Sequence, residues 1–213
     1  MTDRRPLLIL GAGSFAIEVL EAAELAGARV AGFVVSDDLA PPTLRHAGLP
    51  VFVESAVPFA PHEVSLAGGI VTTRRRAFVE RMAARGFTFL TVVHPSAIVS
   101  PRARLDEGAF VGAGAIVASH TRVGAHVLLN RGANVGHDNE VEPFVTIGPG
   151  AVLAGSVRVG AGAYVAVGAV IRDHLDIGAG AVVAAGAVVV KTIAPHALVA
   201  SLLEEALHRV DAR

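Results

Sequence analysis

The chain has 213 residues, room for one or two small domains. Hydrophobic residues make up 53% and charged residues 17%, so it can bury a core and is not disordered; aromatics are only 5%, so that core is aliphatic. A formal net charge of −1 argues against a nucleic-acid binder, and the absence of cysteine excludes disulfides, thiolate metal sites and a thiol nucleophile.

Residues 1–93 alternate strand and helix. The opening segment mimics the basic and apolar regions of a signal peptide. Glu18 and Glu21 follow at once with no cleavage site, so it reads as folded structure. No apolar run approaches the ~18 residues of a membrane span, and a cytoplasmic protein is expected. Pro6–Leu10 is a first strand, entering Gly11-Ala12-Gly13-Ser14, and an amphipathic helix follows to about Ala26, ended by Gly27. Arg29–Ser36 is a second strand, stopped by Asp37-Asp38. Pro41-Pro42 and Pro58–Pro61 mark loops. Ala67–Thr72 reads as a third strand, Arg74–Arg85 as a basic helix with a solvated start, and Phe87–Val93 as a further strand. This alternation predicts a small, parallel, Rossmann-like α/β domain over 1–93. The turn at Gly11 to Phe15 sits where helix amides can hold a phosphate. Asp37 and Asp38 end the second strand, where carboxylates commonly take ribose hydroxyls. Each alone also reads as a tight turn or a solvated strand end; together they point to a nucleotide-type ligand.

From residue 98 the grammar changes. Residues 98–193 divide into 16 hexads without insertion, and the second position is always Val, Leu or Ile, from Val99 through Val135 to Val189. A six-residue aliphatic period is the mark of a hexapeptide β-helix. Every third hexad carries Gly at its fifth position (Gly114, Gly132, Gly150, Gly168, Gly186), so the unit is 18 residues, three strands per coil. A recurring corner glycine suits a positive φ. Coils stack about 4.8 Å apart, which sets residue i beside i+18. The β-helix domain is expected over 94–200, with a capping helix over 201–213.

The first positions give three rows. Arg104, Arg122, Glu140, Arg158 and Asp176 form a solvated face; Phe110, Leu128, Thr146, Tyr164 and Val182 a second; Ile98, Ile116, Asn134, Val152, Val170 and Val188 a third. With the second positions inside, both apolar rows point outward and are expected to meet other copies in a homotrimer. Asn134 interrupts the third row, and its hexad brings His137 and Asp138 to that face. Stacking sets Ser119 beside His137 and His120 beside Asp138. Polar groups in an apolar interface cost stability unless paired, which makes this the best internal pointer to a working site. His137 suits proton removal from an amine or hydroxyl, with Asp138 to orient it; the other reading is an exposed corner histidine. His120 and His126 read as solvated corners. A metal site would need both to converge with His137, and none is expected.

The α/β domain followed by this β-helix resembles the sugar O- and N-acyltransferases of the sialic-acid and bacillosamine type, over about residues 5–200. The most specific stretch is 135–155, opening Val135-Gly136-His137-Asp138. The resemblance implies a left-handed β-helix, a homotrimer, and transfer of an acetyl group from acetyl-CoA to an amino or hydroxyl group of a nucleotide-linked sugar. It implies His137 as general base with Asp138 modulating it. It places nucleotide-sugar contacts at Gly11, Ala12, Gly13, Ser14, Phe15, Asp37 and Asp38, and acetyl-CoA in a groove between two β-helices near Thr146, Val167 and Ala185. Three positions depart from the family pattern. Thr146 replaces a frequent His, Phe15 replaces a His or small polar residue, and Ser201–Glu205 replaces a Gly-x-Pro-Ala-Lys motif, where two acids disfavour CoA phosphates. Two alternatives stay open. A non-catalytic sugar-nucleotide binding protein on the same fold would bind nucleotide but not CoA. A metal hydratase of the γ-carbonic-anhydrase type would carry bound metal.

Overall fold

In the computed structural model, residues 5–38, 45–72 and 75–200 are described. The N-terminal part comprises β1 (Leu7–Leu10), α1 (Ser14–Leu25), β2 (Val30–Val35), β3 (Arg45–His46), β4 (Leu49–Val53), β5 (Ser65–Gly68) and α2 (Arg75–Ala84). The sheet order is β3-β4-β2-β1-β5, parallel except for the β3-β4 hairpin. All four residues of β1 are buried, as a strand covered on both faces requires. One face packs on the Ala16-Val19-Leu20-Ala23 stripe of α1, the other on Phe78, Val79 and Met82 of α2.

The structure revises three sequence expectations here. The strand expected at Ala67–Thr72 lies earlier, at Ser65–Gly68. β4 was not foreseen, because Pro50 reads as a strand breaker; its parallel pairing with β2 begins only after that proline, at Val51. Phe87–Val93 is not one strand. Phe89 makes an isolated bridge to Leu66, and Val92–Val93 already pairs with Phe110–Val111, because the chain is crossing from one sheet to another. Pro41-Pro42, Arg74 and the expected capping helix with Ser201–Glu205 lie outside the described residues.

The second part is a parallel β-helix. Each of the 16 hexads supplies a two-residue strand, and the strands form three parallel sheets of six, five and seven strands. Ile116 pairs with Asn134, Arg122 with Glu140 and Leu128 with Thr146, an 18-residue register. The interior holds the second positions and also the sixth, such as Ala115, Val127, Ala151 and Ala169. The five corner glycines have φ of 64–66°, as the periodicity requires. At another corner the left-handed conformation falls to His120, Asp138, Ser156 and His174, with φ of 53–61°. Asp and His tolerate it better than most residues. The period closes two residues short at its end: Ile193 bridges Ile177 and Leu198–Val199 pairs with Val182–Val183, both 16 residues away.

The second row does not point outward at its N-terminal end. Phe110, Leu128 and Thr146 are 3%, 1% and 0% exposed, because the α/β part folds back onto that face. Phe15 packs edge-on against Phe110 with centroids 5.4 Å apart. The third row stays uncovered, with Ile98 and Val188 each 66% exposed. Among the described residues no helix is long and apolar enough to cross a membrane.

Candidate functional site

Two groups of polar residues are built by different elements. The first is a cleft of about 510 Å³ at the C-terminal ends of β1 and β2. Gly11, at φ +101°, lets the turn pass close to Gly69; an added Cβ would lie 2.7 Å from Ile70 Cγ1. Gly13 caps α1 without any side-chain hydrogen bond, and no atom lies within 4 Å of the Cβ it lacks. Ala16 N donates to Gly13 O at 3.1 Å, which leaves the Ser14 and Phe15 amides without a cap at the cleft wall, a natural anion seat. Gly11 to Phe15 line the cleft with Ser36, Asp38 and Arg81. The Ser36 hydroxyl holds the Asp38 carboxyl below its ordinary range. Asp37 serves the fold instead. Its Oδ1 accepts from Ser55 N at 2.9 Å and Ser55 Oγ at 2.8 Å, which lowers its pKa and fixes the chain after β2. Arg81 is anchored by Glu54 Oε2 at 2.8 Å and donates to Ser36 Oγ at 3.2 Å.

The second group is the corner after Asn134–Val135. His137 Nδ1 lies 2.7 Å from Asp138 Oδ2. A carboxylate can only accept, so Nδ1 is the donor of this pair and Nε2 is the ring nitrogen that Asp138 leaves unengaged. The ring lies over Gly155 of the next coil, where an added Cβ would sit 2.5 Å from His137 Cε1 and 2.6 Å from Nε2. The Gly155 amide donates to no acceptor among the described residues. Asn139, 1% exposed, holds the corner from within: Nδ2 donates to Gly136 O and Ala154 O, both at 2.9 Å, and Oδ1 accepts from Val157 N at 2.6 Å. Buried Thr121 adds a bond to Gly136 O at 2.6 Å. Sequence reasoning missed both, although each is a polar residue at a sixth position otherwise held by aliphatics. His120 stands beside Asp138 as the stacking predicts, its Nδ1 3.6 Å from Oδ1.

The structure brings Gly11–Phe15 together with Asp38, and His137 together with Asp138. It does not join these two groups within one chain. The α/β part sits on the second-row sheet, whereas the His137 corner links the other two sheets, on the opposite edge of the prism. Val167 and Ala185 are exposed and stack 18 residues apart on the corner leading into the third row. Thr146 lines no groove, which corrects the expected cofactor contact: it is fully buried, and its hydroxyl accepts from Arg75 Nη1 at 2.8 Å.

Arg75 itself overturns the reading of a solvated helix start. It is 2% exposed, and its Nη2 donates to Phe144 O at 2.6 Å, Val145 O at 2.9 Å and His126 O at 3.3 Å. Its Nη1 also donates to Val71 O at 3.2 Å, so it ties the cleft wall to the β-helix. Burial lowers its pKa to about 10, which leaves it charged at neutral pH. His126 is no solvated corner either. It is 9% exposed, stacked on Phe144 and edge-on to Phe89, and burial, aided by Arg75, pushes its pKa down to about 4. Among the described residues no cluster of three or more His, Cys, Asp or Glu could hold a metal.

Solved structures with the same architecture identify the lineage. Perosamine N-acetyltransferase from Caulobacter crescentus, solved as a histidine-to-asparagine variant in complex with CoA and GDP-perosamine, is 35% identical, covers 91% of this chain and 92% of its own, and superposes with a TM-score of 0.84. The acetyltransferase domain of PglB from Neisseria gonorrhoeae, in complex with acetyl coenzyme A, is 32% identical, with 92% and 96% covered and a TM-score of 0.83. The chain belongs to the hexapeptide-repeat sugar N-acetyltransferases. WeeI from Acinetobacter baumannii, 24% identical with a TM-score of 0.82 over 91% of this chain and 95% of its own, shares the fold of that family. No family model and no curated protein matches the sequence.

Proposed function

We propose that this member of the family transfers an acetyl group from acetyl-CoA to an amino or hydroxyl group of a nucleotide-linked sugar. The observation that carries the reading is the His137 imidazole, oriented by Asp138, with Nε2 free beside an unused backbone amide. His137 Nε2 takes the proton of the acceptor as its nitrogen or oxygen attacks the thioester carbonyl carbon. The Gly155 amide donates to the oxygen that becomes negative. Collapse of the adduct breaks the C–S bond, and the proton on Nε2 passes to the departing thiolate. Direct transfer needs no acyl-enzyme, in keeping with a chain without cysteine; much of the rate then comes from holding both substrates together.

The α/β part reads as a Rossmann-like half domain. Its cleft would take the nucleotide, with phosphate at the α1 amides and ribose at Asp38. The β-helix reads as left-handed. A homotrimer built on the uncovered third row resolves the separation of the two residue groups, because the cleft of one copy would then serve the His137 of its neighbour. Acetyl-CoA would lie in the seam, along Val167 and Ala185.

His137→Ala should lower kcat by roughly 10²–10⁴-fold while calorimetric CoA affinity holds. Unchanged turnover would reject His137 as the base.

A further inference from the structure

Among the described residues Arg81 is the only basic side chain in the wall of the cleft. It stands in the last turn of α2 and is held by three groups. Its Nε donates to Glu54 Oε1 at 2.9 Å, and its Nη2 donates to Glu54 Oε2 at 2.8 Å and to Ser36 Oγ at 3.2 Å. Its Cζ lies 5.3 Å from the centroid of the Phe78 ring, one turn earlier on the helix. Glu54 is 8% exposed, so the carboxylate that fixes the guanidinium is itself built in. Nη1 donates to no acceptor among the described residues. The result is a fixed set of N–H donors at the rim of an apolar wall made by Ile70, Val71 and Phe78. We infer that Arg81 is a specificity-determining residue that reads the nucleobase: the cleft takes a base with a ring carbonyl, as in uracil, thymine or guanine, over one with an amino group in its place, as in cytosine or adenine. This rests on the assignment of the cleft to the nucleotide.

The chemistry of the walls divides the nucleotide among them. The uncapped Ser14 and Phe15 amides suit an anion, which seats the phosphates. Asp38 only accepts, which suits ribose hydroxyls. The part of a nucleotide that remains is its base, a flat ring, and Ile70, Val71 and Phe78 supply the apolar cover it needs. Ser36 joins this end to the ribose end, because its hydroxyl meets both Arg81 and the Asp38 carboxyl. A guanidinium has donors and no acceptor. Uracil O4 and guanine O6 accept from it, and guanine N7 stands ready for a second N–H. An amino group at the same ring position turns N–H toward N–H and leaves both donors unpaired. A lone exposed arginine would swing away from such a clash; the bond pair to Glu54 removes that freedom. The same carboxylate raises the Arg81 pKa, so loss of a proton offers no relief either.

The test is calorimetric titration of UDP against CDP and of GDP against ADP, with CoA in excess so that an adenine nucleotide cannot enter the CoA seam. In at least one pair the carbonyl-bearing member should bind about tenfold more tightly. Arg81→Met should bring that ratio close to unity. Since this change leaves the buried Glu54 carboxylate unpaired, Arg81→Met/Glu54→Gln is measured beside it, with thermal unfolding to show that the fold holds, and it should lose the preference in the same way. Equal or reversed affinities within both pairs of the wild-type protein overturn the inference and leave the nucleotide cleft standing. A ratio that survives both variants overturns it as well. So does an equal loss for both members of a pair, which would put Arg81 at the phosphates. If none of the four nucleotides binds the wild-type protein, the nucleotide reading of the cleft falls, and the inference falls with it.

Discussion

Gly155 shows how much can depend on a missing side chain. The His137 ring occupies the space where its Cβ would be, 2.5 Å from Cε1. Gly155→Ala should therefore turn the imidazole away from its seat and lower kcat on the order of 10²-fold, with CoA affinity by calorimetry little changed. The His137-Asp138 pair was legible because Asn134 breaks an aliphatic row. Gly155 was not, because many hexads carry glycine and only the stacked ring gives this one a task. His126 was misjudged for a related reason: the corner pattern is the same at every coil, but one corner happens to lie under Phe89 and beside Phe144. Its folded pKa, about 4, lies below the unfolded value near 6.5. Stability should thus be intact above pH 6.5 and decline as pH falls toward 4, by on the order of 2–3 kcal/mol. Urea unfolding across that range checks this, and His126→Asn should flatten the slope even though it lowers stability overall.

Helix α2 illustrates what a basic composition leaves out. It reads from the sequence as a basic helix with a solvated start, yet Phe78, Val79 and Met82 form a packed face. Its first residue does something else: Arg75 spans the join between the two parts of the chain through Phe144 O, Val145 O and Thr146 Oγ1. A triplet of arginines gives no hint of which member is buried, since burial follows from the backbone carbonyls that an unrelated coil presents. Replacing Arg75 by Met should cost on the order of 3–5 kcal/mol, read by denaturant unfolding. Lys should rescue little of it, because an ammonium lacks the planar fork. Among strands, those of the β-helix were readable to the residue because a strict period fixes register. β4 was not, because five residues containing Pro50 carry no period to count.

The proposed trimer would account for the cleft and His137 lying on opposite edges of one chain. Val170→Arg places a charge in the apolar row on which the α/β part does not pack. It should give a monomer by sedimentation that binds nucleotide sugar yet does not turn over. Subunit mixing tests the shared site more directly. Gly13→Phe should fill the cleft without disturbing the fold, since that Cβ meets nothing within 4 Å. Neither it nor His137→Ala should be active alone. Exchanged together, random trimers should regain up to about a quarter of normal turnover.

The 18-residue register has a corollary for how such chains can change length. Adding one full turn beyond Tyr164 would lengthen the rod while every later side chain kept its outlook, and the His137 corner would not move. Adding a single hexad there would rotate all that follows by one facet, so that charged residues would continue an oily stripe and oily ones a charged stripe. Growth of this protein is therefore quantised in complete turns, and among the described residues the 16-residue offset at Ile193 and Leu198–Val199 is where that count is broken.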